Sequence, residues 1–326
     1  MDNTEKSLSP YRYEQPLKLS TPEWSTDHNG ANWNPGGYGN KVLPAGVYDY
    51  QTPWMQPPYL RRVGFVGDSM VDLPDDPTSE VLAHIKDFWS KEPAFRELGI
   101  TFKRGIILYG PPGGGKTATI FRLAKELESQ NAVMLVAQSA QEATAAIEMV
   151  KVLEPKRKIV VVLEDLDGIV NRYGDEALTH LLDGGTDVDS VLFLATTNYP
   201  ERLPNRILNR PSRFDVRMRI GMPSTEARRV YIEHVVKGNL LVEIDELVEK
   251  TAGLGIAAIK EVIILTQIFE HTVDEAVDKV KNTNIQSDDY YEEEDYKDFD
   301  TCSGAYLVDV DDNEEKLMDV VVKDYK

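Results

Sequence analysis

The fold is decided by residues 105–129, which read GIILYGPPGGGKTATIFRLAKELES. An apolar run ends at Tyr109, and a segment rich in glycine and proline follows it. Four apolar residues then recur at helical spacing: Ile120, Leu123, Ala124 and Leu127. The pattern predicts a buried strand, a tight turn and an amphipathic helix in direct succession.

The turn fits the pattern G-x-x-x-x-G-K-[ST] in full, in the strand–turn–helix context that this pattern requires. Its residues are Gly110, Pro111, Pro112, Gly113, Gly114, Gly115, Lys116 and Thr117. Glycines leave backbone N–H groups open to phosphate oxygens, and the helix that continues through Ala118 adds a favourable dipole. We expect Lys116 to reach the outer phosphates of a nucleotide and the Thr117 hydroxyl to ligate Mg²⁺.

A second run, Ile159–Leu163, is apolar throughout and ends in Glu164 and Asp165. Such a strand is typical of a parallel sheet covered on both faces, where ligands sit at the carboxyl ends of the strands. We expect one carboxylate to hold Mg²⁺ through water and the other to orient the attacking water.

Three more apolar runs and two more helical stretches alternate around these segments. Strands separated by helices at this rhythm predict βαβ units, and therefore an α/β fold with a parallel sheet between two helical layers. After Pro223 only helical patterns remain. The predicted divisions are an N-terminal arm or accessory region (1–70), an α/β core (71–222), a helical domain (223–282) and a tail (283–326).

The chain of 326 residues carries 36 Lys and Arg against 55 Asp and Glu, a net charge of −19. Residues 284–326 hold 15 acidic and 4 basic residues, a net of −11, which predicts a mostly disordered tail. Its apolar stretches, 305–310 and 317–322, could form a strand or short helix that docks on another surface. A single cysteine, no signal peptide and no apolar run near 20 residues favour a cytoplasmic protein without a membrane segment.

The first 60 residues hold 8 of the 18 prolines and 3 of the 4 tryptophans. Few strands can be recognised there. An extended arm whose aromatic residues pack on the main domain is the favoured interpretation, and a recognition module is the alternative.

From about Asp72 to Glu270 the chain resembles the AAA ATPases, the clade proper within the AAA+ group. The resemblance rests on Phe95–Ile100, on Arg104–Gly113 leading into the turn, on Ala195–Asn198 and on Arg210–Asp215. It implies ATP and Mg²⁺ as ligands, a P-loop NTPase core with a helical lid, and a homo-oligomeric ring, with six subunits expected. Residues 251–259 resemble the lid motif that closes over adenine.

The resemblance also assigns catalytic roles. Asn198 matches the residue that positions the lytic water or contacts the γ-phosphate. Arg210 and Arg213 match arginines that reach the nucleotide of a neighbouring subunit. Segment 203–210 is one residue longer than the commonest family pattern, which favours Arg213 over Arg210.

Three features depart from the family. The acidic pair is Glu-Asp where most members have Asp-Glu, so the residues leave open which carboxylate ligates Mg²⁺; Glu164 is the expected ligand. Residues 138–143 lack the aromatic residue of the unfoldase pore loop, and Gly114 replaces the usual Thr or Cys. The first two departures, together with Leu182–Gly185, make the core similar to the mitochondrial AAA translocase that moves the folded Rieske protein. Soluble AAA proteins of bacteria or phages are the alternative relatives.

These features predict an ATP-hydrolysing ring that remodels a protein partner. One alternative is a nucleic-acid-linked loader or helicase-type ATPase, supported by isolated basic clusters at 61–62, 156–158 and 228–229. The other is a nucleotide-gated scaffold with slow turnover, supported by the Glu-Asp order. Bulk coating of nucleic acid is disfavoured by the acidity of the chain.

Overall fold

The structure is a computed structural model, and it describes residues 23–27, 30–36, 39–64, 71–184, 188–237, 242–284 and 306–309. Ten strands lie in these ranges. In chain order, β1 to β10 span Trp24–Thr26, Asn32–Pro35, Gly46–Gln51, Tyr59–Arg62, Lys103–Tyr109, Val133–Val136, Ile159–Leu163, Val191–Thr197, Val216–Arg219 and Tyr306–Asp309. They form one sheet in the order β1-β2-β4-β3-β6-β7-β8-β5-β9-β10.

Eleven α-helices lie in the same ranges. In chain order, α1 to α11 span Thr78–Ser90, Glu92–Glu97, Lys116–Ser129, Ala140–Leu153, Leu166–Tyr173, Glu176–Asp183, Asn205–Leu208, Thr225–Val236, Ile244–Lys250, Ile256–Gln267 and Val273–Asn284.

The central part of the sheet is parallel, from β3 through β6, β7, β8 and β5 to β9. β7 and β8 are buried along their whole length, as expected for strands covered on both faces. Helices α1 and α3 pack on one face, in a cluster that includes Ile85, Ile120 and Val160. Helices α4 and α6 pack on the other face, in a cluster that includes Ile147, Val161 and Leu181. The predicted α/β class with a three-layer core is therefore confirmed.

The N-terminal region continues this sheet. β1, β2, β4 and β3 pair antiparallel with one another, and β3 then pairs parallel with β6 in the register Gly46↔Val133. Trp24, Trp33 and Tyr48 are buried in the same core cluster as the helices of the second face. The region thus holds four strands where the sequence indicated few.

A buried ion pair joins these strands to the end of α4. Glu154 Oε1 accepts hydrogen bonds from Trp24 Nε1 (2.8 Å) and from the backbone N–H of Leu43 (2.7 Å). Its other oxygen accepts from Arg157 Nη1 (3.1 Å), and Arg157 Nη2 donates to the Leu43 carbonyl (2.9 Å). Three donors that lie far apart in sequence therefore depend on one carboxylate.

We expect Glu154→Ala to lower the free energy of unfolding by about 3–5 kcal/mol, because removing one partner strands a buried charge and two buried donors. Urea denaturation followed by far-ultraviolet circular dichroism measures the change. Glu148→Ala, at an exposed position of α4, should change stability by less than about 0.5 kcal/mol. Equal effects of the two variants would contradict the assigned role.

The last four helices, α8 to α11, share an apolar cluster of their own that includes Ile232, Leu247, Val262 and Val277. Asp75 Oδ2 accepts a hydrogen bond from the backbone N–H of Ser224 (2.7 Å), just before α8. This contact ties the start of the helical unit to the segment that precedes α1.

The predicted acidic tail lies outside the described residues, apart from the end of α11 and β10. β10 pairs parallel with β9 in the register Tyr306↔Val216, on the side of β9 away from β5. The domain boundaries as a whole stay predictions. In the part of the chain that the structure describes, no helix is both long and apolar enough to cross a membrane.

Candidate functional site

The glycine-rich turn lies between β5 and α3, at the carboxyl edge of the parallel sheet. Gly115 precedes α3 with a φ of 103°, a conformation that L side chains rarely adopt. A Cβ on Gly110 would lie 2.1 Å from the Ile220 carbonyl oxygen, so only glycine fits beside the end of β9. The backbone of the turn is therefore specified by its glycines, and Thr117 and Ala118 are exposed on the first turn of α3.

Lys116 is buried, and its ammonium donates to the carbonyls of Gly110 (2.7 Å) and Pro111 (2.8 Å). Burial lowers the pKa of Lys116 to about 8, although the negative charges of Asp165 and Asp167 oppose this shift. A buried cation among carbonyls and carboxylates is suited to bind an anion at this edge.

The acidic pair lies next to the turn. Thr117 Oγ1 and Glu164 Oε2 are 3.5 Å apart, and Glu164 is half-buried. Burial, together with the charge of Asp165, raises the pKa of Glu164, while the hydrogen bond from Thr117 lowers it. A hydroxyl and a carboxylate oxygen side by side are hard ligands of the kind that Mg²⁺ takes.

Asp165 is exposed and has a left-handed backbone with a φ of 50°. Its N–H donates to Thr196 Oγ1 (3.2 Å), so the end of β8 holds the turn after β7. Strain of this kind in a non-glycine residue is common at functional sites. The two carboxylates therefore lie in different surroundings, with Asp165 exposed and Glu164 half-buried.

Two residues that were given no role from the sequence meet here, Thr197 at the end of β8 and Asp167 on α5. Thr197 Oγ1 donates to Asp167 Oδ1 (2.6 Å) and accepts from the N–H of Tyr199 (3.0 Å). Asn198 directly follows Thr197 in the chain and is half-buried. Asp167 could have been recognised from the sequence, because it is a carboxylate two residues beyond Asp165. A strand end of sequence Thr-Thr-Asn was the partner to expect for it.

The two arginines differ in accessibility. Arg213 is 3% exposed and forms two hydrogen bonds to Asp183. Its Nε donates to Oδ1 (2.8 Å), and its Nη2 donates to Oδ2 (2.9 Å). This pairing lowers the pKa of Asp183. Arg210 is 62% exposed, with one contact to Asp183 at 3.1 Å. Arg213 is therefore engaged within the chain and Arg210 is the more accessible of the two, while the preference between them stays a prediction.

The helical unit meets the glycine-rich turn through two glycines. A Cβ on Gly255 would lie 2.5 Å from the Gly113 carbonyl oxygen, so the segment before α10 touches the turn at backbone distance. Any group held by the turn is therefore close to the helical unit as well.

Residues 106–222 match the model of the ATPase family associated with various cellular activities (AAA). Residues 106–222 therefore form an AAA+ ATPase domain. The matched segment begins in β5 and ends after β9, so it covers the glycine-rich turn, the acidic pair, Asn198 and both arginines. The predicted resemblance to the AAA family is thereby confirmed over this segment.

The chain is similar to curated proteins that have different tasks. It is 31% identical to a probable mitochondrial chaperone bcs1 of Schizosaccharomyces pombe over 49% of this chain and 38% of the relative. It is 28% identical to the ATP-dependent zinc metalloprotease FtsH of Rhodococcus erythropolis over 63% of this chain and 28% of the relative. It is 32% identical to a cell division cycle protein 48 homolog of Archaeoglobus fulgidus over 49% of this chain and 24% of the relative. The chain therefore spans well under half the length of these relatives.

Proposed function

We propose that the protein binds Mg·ATP at the carboxyl edge of its parallel sheet, hydrolyses it in a homo-oligomeric ring and so remodels a protein partner. One observation carries the proposal: the glycine-rich turn, the acidic pair and the Thr-Thr-Asn strand end meet at one edge, with Thr117 Oγ1 3.5 Å from Glu164 Oε2. The remodelling task is inferred from relatives named as a chaperone and as an ATP-dependent protease.

The turn suits a triphosphate. Side chains at Gly110 or Gly255 would collide with neighbouring backbone, and the open N–H groups at the start of α3 are available to phosphate oxygens. Lys116 can exchange its two carbonyl partners for phosphate oxygens, which are stronger acceptors because they are charged. The residues present therefore fit ATP.

The two carboxylates of the acidic pair have different roles in this proposal. Thr117 and Glu164 would hold Mg²⁺, which neutralises charge on the phosphates when bound. Asp165, exposed and held by Thr196, would accept a proton from the attacking water. Asn198 would orient that water by hydrogen bonding, and the Thr197–Asp167 hydrogen bond would hold the Asn198 backbone in position.

Arg210 is the better candidate for the arginine that reaches a neighbouring subunit. Its guanidinium is exposed and held by a single contact, whereas Arg213 is buried against Asp183. In this proposal Arg213 is a positioning residue, because it anchors the segment that carries Arg210.

The partner is proposed to be a protein and not a nucleic acid. The basic clusters that favoured nucleic acid are largely engaged: Arg61 pairs with Asp49, Arg62 with Glu128, and Arg229 with Asp245. Arg228 is buried and donates to the backbone carbonyls of Pro223 and Val248. Little of this positive charge is left for a phosphate backbone.

Phosphate release by the purified full chain, with Mg·ATP and then with excess chelator, tests the proposal. We expect turnover that depends on Mg²⁺ and is lost in Lys116→Ala. ATP bound without turnover would favour the slow scaffold, and DNA-stimulated turnover that falls steeply with salt would favour the loader.

Contact between the helical unit and the turn gives a separate prediction. Gly255→Ala should weaken ATP binding by about 5- to 150-fold, since overpacking of this kind costs about 1–3 kcal/mol. Titration with a fluorescent ATP analogue measures it. Gly64→Ala is the control, because its added Cβ meets no atom within 4 Å. Unchanged affinity in Gly255→Ala would mean that the helical unit does not bear on the nucleotide.

A further inference from the structure

Lys103, the first residue of β5, contacts the segment that carries Arg210 and Arg213. Its ammonium donates to the Ser212 carbonyl (3.0 Å) and to the carbonyl of Leu182, in the last turn of α6. Carbonyls in the last turn of a helix have no partner within the helix, so a cation is favourable there. The lysine therefore joins two elements that lie far apart in sequence, the end of α6 and the turn between the two arginines.

The turn at Ser212 depends on contacts from outside it. Ser212 has a φ of 71°, a left-handed conformation that is strained in a residue other than glycine. Such a conformation persists only where the surrounding structure fixes it. The Ser212 N–H donates to Asp215 Oδ1 (3.0 Å), and Lys103 holds the carbonyl of the same residue. Both backbone polar groups of the strained residue are therefore held by side chains.

The backbone at the start of β5 touches the same segment. A Cβ on Gly105 would lie 1.7 Å from the Arg213 carbonyl oxygen, and the Gly105 carbonyl accepts from the N–H of Asp215 (3.0 Å). The segment is thus fixed on β5 from Ser212 to Asp215. Arg210, two residues before Ser212, carries its exposed guanidinium directly beside this fixed part.

Lys103 also acts on Asp183, the carboxylate that both arginines contact. The hydrogen bonds from Arg213 lower the pKa of Asp183, and the charges of Arg210 and Lys103 lower it further. When Arg210 leaves Asp183, two cations therefore remain to balance this carboxylate. An exposed ion pair with a single contact contributes little to stability, so the release of Arg210 costs little while Lys103 is present.

We propose that Lys103 is a positioning residue for hydrolysis in the neighbouring subunit, because it fixes the turn at Ser212 and balances Asp183 so that Arg210 can reach the neighbour's nucleotide. The inference rests on the proposed function, in which Arg210 acts across the subunit boundary. Loss of Lys103 then lowers turnover in the neighbour and leaves the ATP affinity of its own subunit unchanged.

Substitution of Lys103 in the full chain tests this role. Lys103→Ala should lower turnover at saturating Mg·ATP by about 10- to 100-fold, the loss expected when a catalytic group is misplaced. Lys103→Arg keeps the positive charge and should retain most of the turnover, whereas Lys103→Met keeps much of the size without the charge and should not. Lys91→Ala, an exposed lysine that pairs with Asp87, is the matched control. Phosphate release measures turnover, and titration with a fluorescent ATP analogue measures affinity.

Mixed assemblies separate positioning from a purely structural role. A Lys103→Ala subunit diluted into an excess of Lys116→Ala subunits has neighbours in which Lys103 and Arg210 are intact. Its turnover should therefore recover to that of an unchanged subunit diluted in the same way, with mixed assembly confirmed by gel filtration. Neighbours cannot repair a defect in the subunit's own fold, so turnover that stays low in the mixture would overturn the proposal.

Amide hydrogen exchange gives a readout that does not depend on hydrolysis. Peptides that cover 209–215 should exchange about 10-fold faster in Lys103→Ala than in the unchanged chain, while peptides from α3 should not change. Unchanged exchange in 209–215 would overturn the proposal. If the unchanged chain hydrolyses ATP and Lys103→Ala does so equally well, this role alone is rejected. If the unchanged chain does not hydrolyse ATP, the proposed function is rejected and the positioning role with it.

Discussion

Alanine at Arg210 should lower ATP turnover by about 10³- to 10⁵-fold while ATP binding is retained, because the variant loses a cation that stabilises charge in the transition state of a neighbouring subunit. Phosphate release at saturating Mg·ATP, over a series of protein concentrations, measures the loss. Arg202→Ala removes another exposed arginine, one that stacks on Tyr199, and should change turnover little.

Mixing two inactive variants tests whether Arg210 acts between subunits. An Arg210→Ala subunit keeps its own phosphate-binding turn, and a Lys116→Ala subunit keeps its arginine. Mixed assemblies should therefore regain turnover that neither variant has alone. If they regain none, although gel filtration confirms mixed assembly, then Arg210 does not act across the subunit boundary. Arg213→Ala should differ from Arg210→Ala by also lowering the melting temperature, since it leaves Asp183 without its bidentate partner.

Asp165→Asn should reduce turnover by about 10²- to 10⁴-fold at unchanged ATP affinity, because the amide cannot accept a proton from water. Glu164→Gln should instead raise the Mg²⁺ concentration needed for half-maximal turnover, since its carboxylate lies beside Thr117. Single-turnover phosphate release across a Mg²⁺ titration separates the two effects. Asp87→Asn, exposed on α1, is the control. If Glu164→Gln loses turnover even at saturating Mg²⁺ while Asp165→Asn stays active, then Glu164 is the proton acceptor and Asp165 is the Mg²⁺ ligand.

The part of the site that sequence could predict is the part made by short contiguous segments. β5, the glycine-rich turn and α3 follow one another without interruption, and each glycine there is required by the local backbone. β7 and its acidic end were recognisable for the same reason, because five apolar residues in a row and two carboxylates need no distant partner. From Ile106 onwards, both segments lie within the range that matches the AAA family.

Features that depend on contacts between residues far apart in the chain could not be predicted from the sequence. β1 to β4 are three to six residues long and are completed by contacts such as Trp24 with Glu154, 130 residues away. The burial of Arg213 depends on Asp183, 30 residues before it, so the sequence preference for Arg213 over Arg210 could not take accessibility into account.

The sheet that carries the nucleotide-binding edge continues without a break into the N-terminal strands. β3 is hydrogen-bonded to β6, and β6 to β7, so β3 is connected to the strand that ends before Glu164 through two strand pairs. The helical unit touches the turn through Gly255 and is tied to the segment before α1 through Ser224. In the proposed cycle the N-terminal strands would therefore move with the acidic pair, and a change in the angle of the helical unit would be the motion that is passed to a neighbouring subunit.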